Sequence, residues 1–151
     1  MSNVRKAEYR DVESLLVIEK LCFNQAYYSR MTPRQFYRHL SSPNALLLVV
    51  EDDSGTVQGY ALGFLHGKRK ALRFYSLAVA PDAQRGEYGK QLFGAIEQRA
   101  QEMGLGVQCE VREDNEKLIN RYTKLGYRKY KTVRDYYPDG AACIKMVKEF
   151  L

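Results

Sequence analysis

The chain lacks the features that mark membrane, secreted and metal-bound proteins. Its longest apolar run, residues 45–50, is six residues long, whereas a membrane-spanning helix needs about 20. The N-terminus has no basic and then apolar stretch of the kind that forms a secretory signal. Three cysteines, without a CxxC pair, encode neither a disulfide framework nor a zinc site. We therefore expect no metal, no membrane segment and a reducing, cytoplasmic location.

The charge and the length are those of an ordinary globular domain. The 24 basic and 18 acidic residues give a net charge of +6, which could favour an anionic cofactor, a ribosomal partner or a nucleic acid. Lys and Arg are spread along the whole chain, however, and this favours a solvated surface, so direct nucleic-acid binding is not expected. With 151 residues, of which 45% are hydrophobic, the chain is expected to form one domain over residues 1–151.

The hydrophobic pattern predicts a mixed α/β order, with an antiparallel meander first and helical crossovers later. The predicted strands cover residues 4–7, 45–51, 57–66, 72–79, 105–112, 128–133 and 142–148. The predicted helices cover residues 11–22, 32–40, 88–103 and 115–125.

The most informative segment is the loop 84–89, which joins strand 72–79 to helix 88–103. It carries two glycines and a basic residue at the place where a helix start exposes unpaired N–H groups and a partial positive charge. The buried side of the helix is predicted from apolar residues at helical spacing, namely Leu92, Ile96, Ala100 and Met103. The loop therefore indicates a phosphate-bearing, nucleotide-like cofactor.

Strand 105–112 carries a carboxylate in its middle. Alternation places Glu110 on one face with Gln108 and Arg112, opposite a face formed by Val107, Cys109 and Val111. A functional carboxylate and a solvated sheet face are both compatible with this pattern.

The helix that follows carries two further candidates. Tyr122 shares a helix side with Leu118, Ile119 and Leu125, so it is predicted to face inward, either as a core tyrosine or as a functional one. Asn115 lies at the helix start, where capping is the simplest explanation.

These segments together resemble the GNAT superfamily of acetyl-CoA-dependent N-acetyltransferases over essentially the whole chain. Segment 77–81 followed by 84–89 is similar to the cofactor motif Q/R-x-x-G-x-G/A. Segment 109–112, Asn115 and segment 122–127 resemble the catalytic half of the bacterial ribosomal-protein alanine N-acetyltransferases, and segment 134–138 resembles their late loop. The resemblance implies a central, mostly antiparallel sheet, flanked by helices, with a splay between the fourth and fifth strands.

The resemblance also implies acetyl-CoA as co-substrate and a role for each matching residue. Main-chain groups in segment 77–79 would pair with the pantetheine arm, and N–H groups in segment 85–90 would hold the pyrophosphate. Glu110 would be the general base, and Tyr122 the proton donor to the departing thiolate. The implied cofactor-binding residues are Leu77, Ala78, Val79, Gln84, Arg85, Gly86, Glu87, Tyr88, Gly89, Lys90 and Asn115.

The cofactor motif departs from the family pattern at one position. Glu87 stands where the middle glycine is expected, one place after Gly86. A side chain can obstruct close backbone approach, and an inward carboxylate would repel a pyrophosphate. Either the loop shifts so that Gly86 takes over the role, or Glu87 points to solvent.

The implied reaction is direct attack of a primary amine on the acetyl thioester, and the expected acceptor is a protein N-terminal α-amine. A lysine, a polyamine or another small amine is the alternative acceptor, and a non-catalytic acyl-CoA-binding sensor or interaction module is the alternative of another class. Tyrosines of two loops are candidate walls of the acceptor pocket, although ordinary loop packing explains them equally well: Tyr27, Tyr28, Tyr136 and Tyr137. A covalent route through Cys109 is disfavoured, because alternation places it opposite Glu110.

Overall fold

A computed structural model describes residues 3–65, 70–84 and 86–150. The strands are β1 Val4–Lys6, β2 Ala45–Glu51, β3 Val57–Phe64, β4 Ala71–Val79, β5 Gly106–Arg112, β6 Arg128–Val133 and β7 Cys143–Lys148. The α-helices are α1 Val12–Cys22, α2 Pro33–Ser41, α3 Tyr88–Glu102 and α4 Glu116–Lys124. The predicted elements are all present, although the expected end of β3 at His66 lies outside the described residues. Within the described ranges, no helix is both long and apolar enough to cross a membrane.

The strands form one sheet in the order β1-β2-β3-β4-β5-β7-β6. The pair β4–β5 is parallel and the other neighbours are antiparallel. The parallel ladder ends at the pair Phe74 and Cys109, and beyond it the two strands separate. The predicted mixed α/β fold, with a splay between the fourth and fifth strands, is therefore confirmed.

A β-bulge lies where the splay begins. Leu62 of β3 pairs with Ser76, whereas the next residue, Gly63, pairs with Phe74. Tyr75 is therefore an extra residue in β4. A bulge bends its strand and increases the local twist, which accounts for the departure of β4 from β5 at this point.

The helices cover the two faces of the sheet. On one face, α3 contributes the fully buried residues Leu92, Ile96 and Ala100. Met103, predicted to belong to the same stripe, is 45% exposed, because it lies beyond the last helical residue, Glu102. On the other face, α1 and α2 pack against β2, β3 and the end of β4.

The two faces of β5 are both covered. Val107, Cys109 and Val111 join the core on the α3 side, as alternation predicted. The interpretation of the opposite face as solvated is wrong, since Gln108 and Arg112 are buried. The loops between α1 and α2 and between β6 and β7 reach over this face, where their aromatic rings contact the Arg112 guanidinium.

Candidate active site

A cavity of about 410 Å³ occupies the splay between β4 and β5. Both strands line it where they separate, through residues 74–77 and 109–112. Four of the predicted site residues are among its lining residues: Leu77, Glu110, Asn115 and Tyr122. The tertiary structure therefore brings the proposed base, the proposed proton donor and part of the cofactor strand to one opening.

The carboxylate of Glu110 is held by two donors, of which Tyr136 lines the cavity and Arg73 lies next to it on β4. Arg73 of β4 donates from Nε to Oε1 at 2.5 Å, and the Tyr136 hydroxyl donates to Oε2. Arg73 also donates from Nη2 to the Tyr136 oxygen at 3.2 Å. Burial alone would raise the pKa of Glu110, but these hydrogen bonds outweigh burial, and the net pKa lies below the usual range. Glu110 is therefore ionised at neutral pH and oriented on both oxygens.

Sequence reasoning missed Arg73 altogether and considered Tyr136 only as a pocket wall. A signal for Arg73 was present, because a cation within a mostly apolar strand is as unusual as the carboxylate of Glu110. The pairing of the two was not readable, since Arg73 and Glu110 lie 37 positions apart and meet only through the β4–β5 register.

Tyr122 is an inward-facing tyrosine, as predicted. Its ring centroid lies 5.6 Å from that of Phe93 and 5.4 Å from that of Tyr127. Burial raises its pKa well above the usual value, so its hydroxyl keeps its proton at neutral pH and is able to donate a hydrogen bond. The predicted alignment with Leu125 is wrong: Leu125 is 43% exposed, because α4 ends at Lys124 and Gly126 then turns the chain with a φ of +99°.

Asn115 caps α4. Its side-chain oxygen accepts a hydrogen bond from the Leu118 N–H at 3.2 Å, which satisfies one of the unpaired donors of the helix start. The cap uses one lone pair of Oδ1 and does not involve the amide nitrogen, which can donate to a ligand in the cavity.

The end of β4 presents its main chain to the splay. The Ala80 N–H donates to the Gln58 carbonyl at 2.7 Å, and alternation along an antiparallel ladder then directs the peptide groups of Ala78 toward β3. Those of Leu77 and Val79 are directed toward the splay. The Val79 carbonyl accepts hydrogen bonds from Gln84 Nε2 at 3.0 Å and from Cys22 Sγ at 3.2 Å.

The start of α3 lies over this strand end. A β-carbon added at Gly89 would lie 3.7 Å from Val79 Cγ2 and 3.9 Å from Leu77 Cδ2, which is ordinary van der Waals contact. Gly89 also has no left-handed backbone angle. Its own surroundings therefore do not require a glycine, whereas close approach of a ligand to the first turn of α3 would.

The remaining residues of the predicted motif lie around this helix start. Glu87 immediately precedes α3, is exposed and makes no capping hydrogen bond. Of the two arrangements considered for Glu87, a side chain at the solvent surface is the one observed. Gln84, Gly86 and Lys90 are exposed and Tyr88 is partly buried, while Arg85 lies outside the described residues.

Two loops close the cavity on the side opposite α3. Tyr28, Tyr136 and Tyr137 line it, whereas Tyr27 does not. Arg112 holds both loops in place: it donates to the Asp139 carboxylate at 2.7 and 3.0 Å and to the Tyr27 carbonyl at 3.2 Å. The wall is therefore a cross-linked structure.

The Cys109 thiol also borders the cavity. Burial raises its pKa to about 12, so the reactive thiolate is scarcely populated at neutral pH. This agrees with the expectation that Cys109 is not a nucleophile.

A second carboxylate, Glu19 of α1, lies beside the cavity and is only 3% exposed. It accepts hydrogen bonds from the Met31 N–H at 2.8 Å and from the Tyr60 hydroxyl. The sequence placed Glu19 on the first helix without a role, although an acidic residue next to buried Leu15 and Ile18 was a usable signal.

Comparison with known proteins agrees with this geometry. Residues 12–127 match the Acetyltransferase (GNAT) family, and the chain belongs to that family. It is 32% identical to an N-alpha-acetyltransferase of Sulfurisphaera tokodaii, over 91% of this chain and 86% of that protein. It is 31% identical to N-alpha-acetyltransferase 20 of Dictyostelium discoideum, over 75% of this chain and 68% of that protein.

Solved structures show the same fold. The ribosomal-protein-S18-alanine N-acetyltransferase of Escherichia coli superposes with a TM-score of 0.85 at 22% identity, over 99% of this chain and 94% of that chain. The chain is thus an acetyl-CoA-dependent N-acetyltransferase, with acetyl-CoA and an amine as its two substrates.

Proposed function

We propose that the acceptor is the α-amine of a protein N-terminus. The relative from Sulfurisphaera tokodaii, which is named an N-alpha-acetyltransferase, supports an α-amine. The main support is the cavity in the splay, which is lined by both Glu110 and Tyr122. Glu110 is ionised and hydrogen-bonded on both oxygens, and Tyr122 is protonated.

The residues around the splay fit acetyl-CoA. The peptide groups of Leu77 and the N–H of Val79 would pair with the pantetheine arm in the manner of an added strand, and Asn115 would contact that arm. The first turn of α3, through the N–H groups around Gly89, would hold the pyrophosphate with its partial positive charge. The exposed ammonium of Lys90 adds positive charge at the same place, and the exposed Glu87 does not have to be displaced.

The amine must lose a proton before it can attack. With ordinary pKa values of about 7.8 and 10.4, deprotonation at pH 7 costs about 1 kcal/mol for an α-amine and about 4.6 kcal/mol for a lysine. Glu110 accepts this proton through a water and passes it to solvent, since its own pKa is low. A weak base of this kind suits the α-amine far better than the lysine.

Tyr122 stabilises the departing thiolate. Its raised pKa makes full proton transfer to sulfur unfavourable, since a thiol has an ordinary pKa near 8.5. A hydrogen bond from the hydroxyl to the developing negative charge needs no transfer and acts only where that charge forms.

The deciding experiment compares three acceptors with acetyl-CoA: a peptide pool with free N-termini and blocked lysines, the same pool with blocked N-termini and free lysines, and spermidine. Mass spectrometry identifies the acetylated product, and thiol release gives the rate. We expect the first pool to be acetylated fastest, because its amine is the easiest to deprotonate.

Faster acetylation of the lysine pool or of spermidine would overturn the N-terminal assignment. Thermal stabilisation by acetyl-CoA without thiol release from any of the three would indicate an acyl-CoA-binding protein without catalysis.

A further inference from the structure

A line of three hydrogen-bonded side chains runs inward from the cavity wall. Ser76 of β4 lines the cavity, and its Oγ lies 3.0 Å from the hydroxyl of Tyr60 on β3. Tyr60 in turn donates to Oε1 of Glu19 on α1. Tyr60 is fully buried and Glu19 nearly so. The line therefore joins Ser76 at the cavity wall to a nearly buried carboxylate that also borders the cavity.

The chemistry of the donors fixes the direction of these hydrogen bonds. Tyr60 has one hydroxyl proton and gives it to Glu19, so the bond between Ser76 and Tyr60 must use the serine proton. Ser76 Oγ is then left as an acceptor toward the cavity. The Met31 N–H donates to Oε2 of Glu19, so a proton delivered to this carboxylate is placed on Oε1, which faces Tyr60.

Acetylation of an ammonium group removes two protons from the nitrogen. The first leaves before attack, and the mechanism above gives it to Glu110. The second leaves as the C–N bond forms and the C–S bond breaks. Tyr122 is a donor and does not receive it, and Glu110 is occupied until it has passed the first proton to solvent. A second acceptor would let the second proton leave without that delay.

We propose that Ser76, Tyr60 and Glu19 form a relay that accepts this second proton, an inference that rests on the function proposed above. As the C–N bond forms, the proton on nitrogen passes to Ser76 Oγ, the serine proton passes to the Tyr60 oxygen, and the tyrosine proton passes to Glu19 Oε1. Glu19 becomes a neutral acid. After the product leaves, the same transfers in reverse return the proton to water in the cavity.

The surroundings of Glu19 suit a transient proton acceptor. Burial raises its pKa, while the Met31 N–H, the Tyr60 hydroxyl and the charge of Arg30 act in the opposite direction. Cys22 also lies close enough to interact with Glu19. Tyr60 has a pKa far above the usual value, chiefly through burial, so it passes a proton on without staying ionised.

The relay is tested by single and double substitutions, assayed with acetyl-CoA and the peptide pool that has free N-termini. Ser76→Ala, Tyr60→Phe and Glu19→Gln should each lower kcat about tenfold to a hundredfold, with the KM values of both substrates nearly unchanged. Ser76→Thr keeps a hydroxyl and should restore kcat to within about threefold of the wild type.

The double variant Ser76→Ala/Glu19→Gln separates a relay from independent structural roles. Because members of one relay act as a unit, the double variant should be no slower than the slower single variant. Tyr37→Phe, which removes an exposed hydroxyl on α2, is the matched control and should be unaffected.

Each remaining outcome counts against the relay. A kcat for Ser76→Ala within about threefold of the wild type would overturn it, as would losses that multiply in the double variant. If the wild type acetylates none of the three acceptors, the proposed function and the relay fail together. If it is active but the variants are unchanged, the relay alone fails.

Discussion

The substitution Glu110→Gln removes the proposed base while preserving its contacts. Arg73 can only donate, so the amide oxygen of the glutamine should take the place of Oε1. The Tyr136 hydroxyl can both donate and accept, so it can turn to receive a hydrogen bond from the amide nitrogen. Both partners stay satisfied, and we expect the variant to fold and to bind acetyl-CoA as the wild type does.

The expected loss follows from the chemistry of the acceptor. A positioned base contributes about 10²–10⁴ in rate, equal to about 2.7–5.5 kcal/mol. For an α-amine the loss should lie near the lower end, because roughly one molecule in seven is already neutral at pH 7. We expect kcat/KM at pH 7 to fall about a hundredfold.

The pH profile gives a sharper test than the single rate. Without the base, the variant depends on free neutral amine, so its kcat/KM should rise about sevenfold from pH 7 to pH 9 and then level off. The wild type, which removes the proton on the enzyme, should change less. Thiol release across this range provides the measurement, with Glu113→Gln, an exposed carboxylate just beyond β5, as the control. A loss below about fivefold with an unchanged profile would refute the role of Glu110.

Three further predictions concern other parts of the site. Tyr122→Phe should lower kcat about tenfold to a hundredfold, the worth of a hydrogen bond to a charged group, and calorimetry should show acetyl-CoA binding unchanged. Gly89→Ala should raise the KM for acetyl-CoA about tenfold, because a methyl group would obstruct the helix start, yet it should unfold in urea no more easily than the wild type. Burial raises the pKa of Glu19, so ionisation of Glu19 lowers the stability of the wild type as pH rises above about 4.3, the pKa of the unfolded chain. Glu19→Gln has no carboxylate to ionise at this position. The difference in unfolding free energy between this variant and the wild type should therefore grow in favour of the variant from pH 4 to pH 7, as measured by urea titration.

Local patterns in the chain were sufficient for the elements and for the fold class. Helical spacing of Leu92, Ile96 and Ala100 predicted the buried side of α3, and alternation predicted the core face of β5. Errors came at helix ends, where Met103 and Leu125 were assigned to buried stripes. Periodicity of apolar residues does not show at which residue a helix ends and the chain turns away from the core.

The site was predicted only in part, because its chemistry depends on contacts between distant segments. Glu110 and Tyr122 were identified through motifs that lie close together in the sequence. The two donors that lower the pKa of Glu110 were not predicted from the sequence. Arg73, Tyr136 and Glu110 come from two strands and a late loop that meet only in the folded protein. The hydrogen bonds of Glu19 were not predicted either, because helical spacing placed it only as one residue of the first helix.

The sequence by itself predicted the order of strands and helices and a candidate phosphate site at the α3 start, and the resemblance to the GNAT superfamily added Glu110 and Tyr122 as candidate catalytic residues. The elements follow from patterns among residues near each other in the chain. The tertiary structure alone decided that β4 bulges at Tyr75 and separates from β5, that Arg73 and Tyr136 keep Glu110 ionised, and that Ser76 is joined to Glu19 through Tyr60. The reason is physical: strand register and long-range packing set which side chains meet and how far their charges are removed from water.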